Sequence, residues 1–501
     1  MNPKPRARRR PRLQPLVAGC VVIGLLGACS PHSVRRDPPP PLKLPDKFQQ
    51  REVAAAQQHL EAQWKEGSRW WLAFEDPVLA QLIDQALSGS FDVQAAWARL
   101  QQAGAAADAA GAPLWPQLTA NVGANYQRMN LSFVPGRNNL DRYGGSGSLE
   151  ASYELDVWAK ISSTQRAAAL DREIAGDQLK TLAMSLSAEV ADAYYDVLNA
   201  TAQHALLQRQ QELSTSLLKL VEFRFGQGLA TAVEVDQQRQ QVLGSQASLA
   251  QVVALSAVRH HRLATLLGTL PGELTRPQAA ELPALPPLPA AGVPSDLLRR
   301  RPDLIAAQRR VEAADYRVAA AVADRFPSLR LTGAFSSEPG KLNDWLLSPF
   351  WNLAANLALP IIDGGRRRAE VERTRGRMAE LVAEYGKAVL GAIVEVENAL
   401  VQERQQQRQI EQVVLQLEVA RRTYSQAQLR YGQGTSDFLS VLTALRSQQD
   451  VERSLLDAQR QLLSYRVQLC RALGGTWMSE LQPAGAEQDQ PAAAGKDQEA
   501  S

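Results

Sequence analysis

From Leu118 to Tyr126 apolar or small residues alternate with polar ones. Leu118, Ala120, Val122, Ala124 and Tyr126 form one row, and Gln117, Thr119, Asn121, Gly123 and Asn125 the other. The same period returns from Tyr143 to Asp156, where Leu149, Ala151, Tyr153 and Leu155 oppose Ser148, Glu150, Ser152 and Glu154. A less regular pair follows, with rows Leu329, Leu331, Gly333, Phe335 and Trp351, Leu353, Ala355, Leu357, Leu359. Period two over about ten residues predicts a strand with one apolar and one polar face. A transmembrane barrel strand requires that pattern. A soluble hairpin packed on a helix is the alternative. The length of the segments, and polar rows with no apolar set for a second layer, argue against it.

Between and after the strand pairs the period changes. Leu179, Leu182, Leu186, Val190, Ala193 and Val197 recur at spacings of three and four, and Leu213, Leu217 and Leu220 resume the stripe. Val389, Ile393, Val396 and Leu400 do the same later in the chain. These stripes predict coiled-coil-like helices of sixty-odd residues, each a rod on the order of 90 Å. Polar runs such as Gln402 to Gln412 read as a solvated face.

The pattern occurs twice. "RFGQGLA" from Arg224 and "RYGQGTS" from Arg430 each stand between a very long helical stretch and a shorter one. A first unit over 76–268 holds strands at about 116–129 and 143–156 and helices at about 161–225 and 231–266. A second over 295–474 holds strands at about 327–337 and 350–360 and helices at about 366–431 and 436–472. A Pro-rich linker over 269–294 joins them, and 475–501 reads as a partly disordered tail. The Gly-Gln-Gly turns are then equivalent tips of two helical hairpins, about 100 Å from the strands. Gly226 and Gly228, and Gly432 and Gly434, allow the backbone to leave one helix and start the next. Thr435 or Ser436 can cap the new helix.

The 501 residues carry a formal net charge of +3, which makes no case for a nucleic-acid partner. The most basic stretch, Lys4 to Arg12, precedes the apolar run Leu16 to Cys29 and with it describes a secretion signal over 1–28. The run is too short to span a membrane. It ends in "LGAC", which resembles the bacterial lipobox and implies a lipid on Cys29; Ser30 after it resembles an outer-membrane address. The Pro-rich stretch from Ser30 to Lys47 favours an extended conformation and reads as a tether, with a Pro-rich ligand as the alternative. With Cys29 lipidated only Cys470 remains, so no intrachain disulfide is expected.

No Walker or GxGxxG motif stands in a nucleotide-binding context, and the five histidines form no metal set. His260 and His261 are adjacent in a helix, diverge by about 100° and read as surface residues. No catalytic residue, cofactor or metal is expected, and the chain reads as no enzyme. Asp156 and Asp363 follow equivalent strands, where a helix N-cap is the favoured reading. Gly364 and Gly365 after Asp363 would let the chain swivel from sheet to helix. Arg299, Arg300, Arg301 and Asp303 read equally as an intersubunit ion-pair seam or a solvated turn. The loop Arg128 to Arg142 reads as external. Its Phe133 and Pro135 either narrow the outer mouth or are ordinary loop residues.

Four strands cannot close a membrane barrel, so the chain must assemble with copies of itself; edge satisfaction does not fix their number. "SYELDVWAK" from Ser152, "LLRRRPDL" from Leu297, "LALPIIDGGRRR" from Leu357 and "LRYGQGTSDFLSVL" from Leu429 resemble the TolC-like outer-membrane factors, specifically the OprM/NodT-type efflux lipoproteins. The resemblance covers nearly the whole mature chain. It implies an α-dominated membrane protein: a homotrimer with a shared 12-stranded β-barrel, four strands per chain, above an α-barrel of long antiparallel coiled-coil helices. The segment 29–75 would then combine the lipidated tether with part of an equatorial belt. The implied role is passive conduction across the Gram-negative outer membrane, for a periplasmic adaptor and an inner-membrane pump of RND type. The tips, Arg224, Gly226, Gln227 and Gly228 with Arg430, Gly432, Gln433 and Gly434, would dock the adaptor. Leu429 and Asp437 are the nearest candidates for a periplasmic aperture. Where the family has "LLDAQR" this chain has "VLTALR", so a gating bond from that aspartate, replaced by Thr443, is in doubt. A duct for protein secretion or metal efflux, and a non-conducting trimeric coiled-coil scaffold, are the alternative readings.

Overall fold

The computed structural model describes residues 30–49, 69–130, 139–275, 282–289, 292–337, 349–475 and 477–481. Cys29, Phe133 and Pro135 lie outside them. The chain forms two compact units, and each draws on both sequence repeats. The repeats are therefore not separate bodies: a single repeat cannot cover its own apolar faces.

One unit comprises 1–41, 101–174 and 307–385. Its sheet contains β1 (Gln117–Asn130), β2 (Asn139–Leu155), β3 (Ser328–Ser337) and β4 (Pro349–Ala358), all antiparallel in the order β1-β2-β3-β4. The register aligns the apolar rows across the whole sheet. Val122 faces Gly147, Ala120 faces Leu149, Leu149 faces Phe335, and Phe335 faces Trp351. β2 starts four residues earlier than its alternation suggested, because Asn139 to Arg142 pair with Gln127 to Asn130 and lengthen the first hairpin. Among the described residues nothing covers the apolar face: Val122, Trp351, Leu353 and Leu357 are all more than two-thirds exposed. Tyr126 and Tyr143 pack 4.9 Å apart on that face near the β1–β2 loop, where aromatic side chains favour a membrane interface.

In the same unit the Pro-rich segment after Ser30 is seated on a helix. Both Asp315 oxygens are used: Oδ1 lies 2.5 Å from His32 Nε2, and Oδ2 accepts from the Arg35 backbone N–H at 2.8 Å. Gln308 Nε2 donates to the Pro38 carbonyl at 3.3 Å. Proline-rich backbone makes no internal hydrogen bonds, so its polar groups are free to bond a helix side chain.

The other unit comprises 42–100, 175–306 and 386–501. α1 (Pro77–Gly89) and α2 (Phe91–Gly111) open the first repeat; α3 (Lys160–Gly226) and α4 (Ala232–Leu267) form its long hairpin. The second repeat contains α5 (Leu297–Arg300), α6 (Pro302–Ala323), α7 (Arg366–Gly432) and α8 (Phe438–Leu473). The core of this unit gathers Trp71, Leu79, Ile83, Tyr195, Leu198, Leu263 and Val467. His260 is buried, not on the surface: of two adjacent helical residues that diverge by about 100°, one turns inward. Arg301 also departs from both readings of its charged turn. It is buried within the chain, donating to Asp303 Oδ2 and Glu395 Oε2 at 2.7 Å each. Burial alone would lower its pKa, but the two carboxylates outweigh that and raise it.

A second buried guanidinium pins the Pro-rich linker. Arg466 forms a two-pronged pair with Glu403, at 2.9 and 2.6 Å, and donates to the Pro286 carbonyl. Both partners are at most 4% exposed. Removing one side of a fully buried pair leaves an uncompensated charge. Glu403→Leu is expected to lower stability by about 3–5 kcal/mol. Glu403→Leu combined with Arg466→Met should recover much of it, read as the thermal unfolding midpoint in detergent.

Candidate functional site: paired hairpin tips and the strand-to-helix junction

The tips are built alike. At the first, the Gly228 N–H donates to the Phe225 carbonyl at 2.9 Å and the Leu229 N–H to the Arg224 carbonyl at 2.9 Å. At the second, Gly434 donates to Tyr431 at 3.0 Å and Thr435 to Arg430 at 2.9 Å. This crossed pair of bonds is the Schellman ending, which needs a left-handed residue. Only one glycine per tip fills that role, with φ of 72° at Gly228 and 75° at Gly434. Gly226 and Gly432 close their helices without left-handed φ, and a Cβ there would meet nothing within 4 Å. Gln227 and Gln433, between the glycines, are exposed.

The caps differ from expectation. α4 is capped by Thr231, which forms a reciprocal capping box with Glu234. α8 is capped by Asp437, whose carboxylate accepts from the Ser440 N–H at 3.0 Å and the Ser440 hydroxyl at 2.6 Å. Neither Thr435 nor Ser436 caps it, since each lies too far back along the turn. Ser440's bonds hold the Asp437 carboxyl below its ordinary value, so it remains an exposed anion. Leu429 is 63% exposed.

The tips also interlock. The Arg224 guanidinium lies 4.5 Å from the centre of the Tyr431 ring and reaches the Gly432 carbonyl at 3.4 Å. The Tyr431 hydroxyl donates to Glu234 at 3.2 Å, and its ring meets Phe438 at 5.4 Å. Burial, followed by the Glu234 charge, raises the Tyr431 pKa and keeps the hydroxyl a donor. Arg430, the sequence counterpart of Arg224, is exposed. Two tips alike in sequence thus present different chemistry. Position alone could not reveal the Tyr431–Glu234 link, whose members lie 197 residues apart.

At the sheet-to-helix junction, Asp156 accepts from the Ile161 and Ser162 N–H groups at 2.8 Å each. Asp363 accepts from Gly365 at 3.0 Å and Arg367 at 3.2 Å, and the Arg367 N–H chiefly lowers its pKa. Gly364 and Gly365 have φ of 64° and 85°; in the first repeat the left-handed position falls to Ala159, φ 58°. An alanine there gave no signal in the sequence. Asp324 was also missed. It joins the repeats by accepting from Lys160 Nζ at 2.5 Å and Arg367 Nε at 3.0 Å. Burial would raise the Asp324 pKa, but Lys160 and Arg367 outweigh that and lower it. Among the described residues no cluster of His, Cys, Asp or Glu could hold a metal ion.

The family model described as outer membrane efflux protein matches residues 82–269 and 293–475, the two repeats. The chain belongs to that family. It is 34% identical over 478 residues to the pyoverdine export outer membrane protein OpmQ of Pseudomonas aeruginosa, covering 93% of this chain and 97% of the relative. It is 29% identical to nodulation protein T of Rhizobium leguminosarum bv. trifolii, covering 92% and 95%. The solved structure of the outer-membrane channel OprN superposes with a TM-score of 0.82 at 30% identity, over 90% of this chain and all of that one. The protein is a TolC-type outer-membrane channel protein of the OprM/NodT kind.

The two glycines of a tip should respond oppositely. Gly434→Ala places a Cβ at positive φ and should cost about 1–2 kcal/mol. Gly432→Ala, at ordinary helical φ with open space, should be neutral or stabilise by up to about 1 kcal/mol. Hydrogen exchange of the tip amides checks both. The junction gives a pH test. Folding lowers the Asp324 pKa, so its contribution is present above the ordinary value of 3.8 and lost as the pH falls through the folded value. Asp324→Asn should lower the unfolding midpoint at pH 7 and leave it nearly unchanged at about pH 2.

Proposed function

We propose that this chain is the outer-membrane component of a tripartite efflux system, assembled as a homotrimer and lipid-anchored through Cys29. The observation that carries the reading is the sheet: an uncovered apolar face across all four strands, with β1 and β4 left as free edges. In hydrocarbon each unpaired backbone group costs several kilocalories per mole, so further copies close the sheet into a barrel. A scaffold that conducts nothing has no use for such a face. Three copies supply the 12 strands that the family resemblance implies.

The periplasmic adaptor docks on the tips, where Gly226, Gln227, Gly432 and Gln433 leave backbone and short polar groups exposed, with Arg430 as the available charge. Asp437 and Leu429 stand nearest the periplasmic aperture. The partner pump is of RND type. The cargo is small molecules, and the 34% likeness to a pyoverdine exporter favours a siderophore-like solute among them. Export of a protein or a metal ion in place of small molecules would favour the secretion or metal-efflux reading instead.

Native mass measurement in detergent should give a trimer with acyl chains on Cys29, and a monomer or an unmodified N-terminus would contradict the assembly or the anchor. Gly228→Val with Gly434→Val should keep the trimer while abolishing in-cell crosslinking to the adaptor and lowering export. Unchanged crosslinking and export would move the docking surface elsewhere.

A further inference from the structure

The polar face of the sheet, which a closed barrel turns toward its lumen, is made mostly of small and polar residues and carries a cross-strand ion pair, Arg330 to Glu154 at 3.0 Å. By register Phe350, Met129 and Leu140 break that pattern, and exposure is described for the first two. Phe350 is 62% exposed and stands opposite Ser336, in the polar row. Its neighbour Trp351 stands opposite Phe335, in the apolar row, so the ladder is in register and Phe350 is on the lumen side. Met129 also falls in the polar row and is 48% exposed.

Both residues sit near the loop ends of the edge strands. The sheet order leaves β1 and β4 unpaired, so closure by further copies sets β4 of one copy beside β1 of the next. One Phe350 per copy then recurs around the inner wall, at the loop end of each β4. Size decides what these rings can do. About 12 strands spaced ~4.8 Å and tilted ~40° enclose a backbone diameter of ~24 Å. Three phenyl rings, each reaching ~6 Å inward, leave that opening wide. The rings are wall contacts and not a seal.

We propose that Phe350, repeated in each copy, forms an apolar collar on the lumen wall that transiently holds aromatic solutes as they pass. The collar rests on the channel reading above. Its energetics follow from ring-to-ring contact: one aromatic pair slows release by about twofold to tenfold, enough to select among solutes without trapping them.

Single-channel recording from the purified full-length protein in a planar bilayer tests this. A naphthylmethyl-trimethylammonium probe is compared with tetramethylammonium, which has the same charge and no ring. In the wild type the aromatic probe should give resolved blocking events, and the ringless ion should not. In Phe350→Ser and in Phe350→Leu, which keeps bulk without the ring, the blocks should shorten by about twofold to tenfold. Phe350→Tyr should retain them. Open conductance should change little in all three, because the rings do not set the bore. Normal conductance with unaltered blocks in Phe350→Ser and Phe350→Leu overturns the collar and leaves the channel reading intact. A wild-type protein that conducts no ions overturns the channel reading, and the collar with it. As a separate check, Phe350→Cys should react with a water-soluble thiol reagent in the assembled channel. Failure to react, with Trp351→Cys reacting instead, would reverse the two faces and overturn the collar.

Discussion

An unpaired strand edge in a medium without water is the constraint on which the rest depends. β1 and β4 each expose a row of backbone donors and acceptors, and the face between them is apolar except for the Arg128–Asp141 ion pair near its loop end. In water such a sheet would aggregate; in lipid it must close. One chain supplies too few strands to do so. The duplicated strand pairs, the need for further copies, and a polar inner face all follow from that shortage.

The two repeats meet the same backbone demands with different side chains. Both long helices end in the same pair of crossed bonds around a left-handed glycine, yet the following helix is capped by Thr231 in one repeat and Asp437 in the other. Both strand pairs hand over to helix through an aspartate, yet the left-handed residue is Ala159 in one and Gly364 with Gly365 in the other. Duplication preserves what the backbone requires and releases the rest. The released positions now carry the asymmetry, above all at the tips, where Arg224 is folded onto Tyr431 and Arg430 faces solvent.

Polar side chains divide into those buried and paired inside the chain and those exposed at the tips. Arg301, Arg466 and Glu403 are buried and paired inside one chain, and they hold a turn and a linker in place. Lys160, Asp324 and Arg367 tie the two repeats together where sheet becomes helix. Arg430, Gln433 and Asp437 stay exposed at the tips. Cys470 belongs with the interior: burial pushes its thiol up to about 12, which leaves it unreactive.

What the sequence by itself determined was everything governed by a short period or a local rule. Alternation marked the four strands, three-and-four spacing marked the long helices, and Gly-Gln-Gly marked their turns. Each is a relation among residues a few positions apart, and backbone geometry converts such spacing directly into a shared face. Even there, local reading placed the cap at Thr435 or Ser436, one or two residues before Asp437, and treated both glycines of a tip as alike. Only the tertiary structure decided which long side chains turn inward. Asp315 seats a segment that composition read as a free tether. Arg466 grips a carbonyl 180 residues away, and Asp324 gathers cations from both repeats. Alternation already set Phe350 off the apolar row of β4, but only the ladder showed Ser336 opposite it. Such pairs leave no trace in one dimension, since the partners are joined by packing and their separation along the chain has no preferred value.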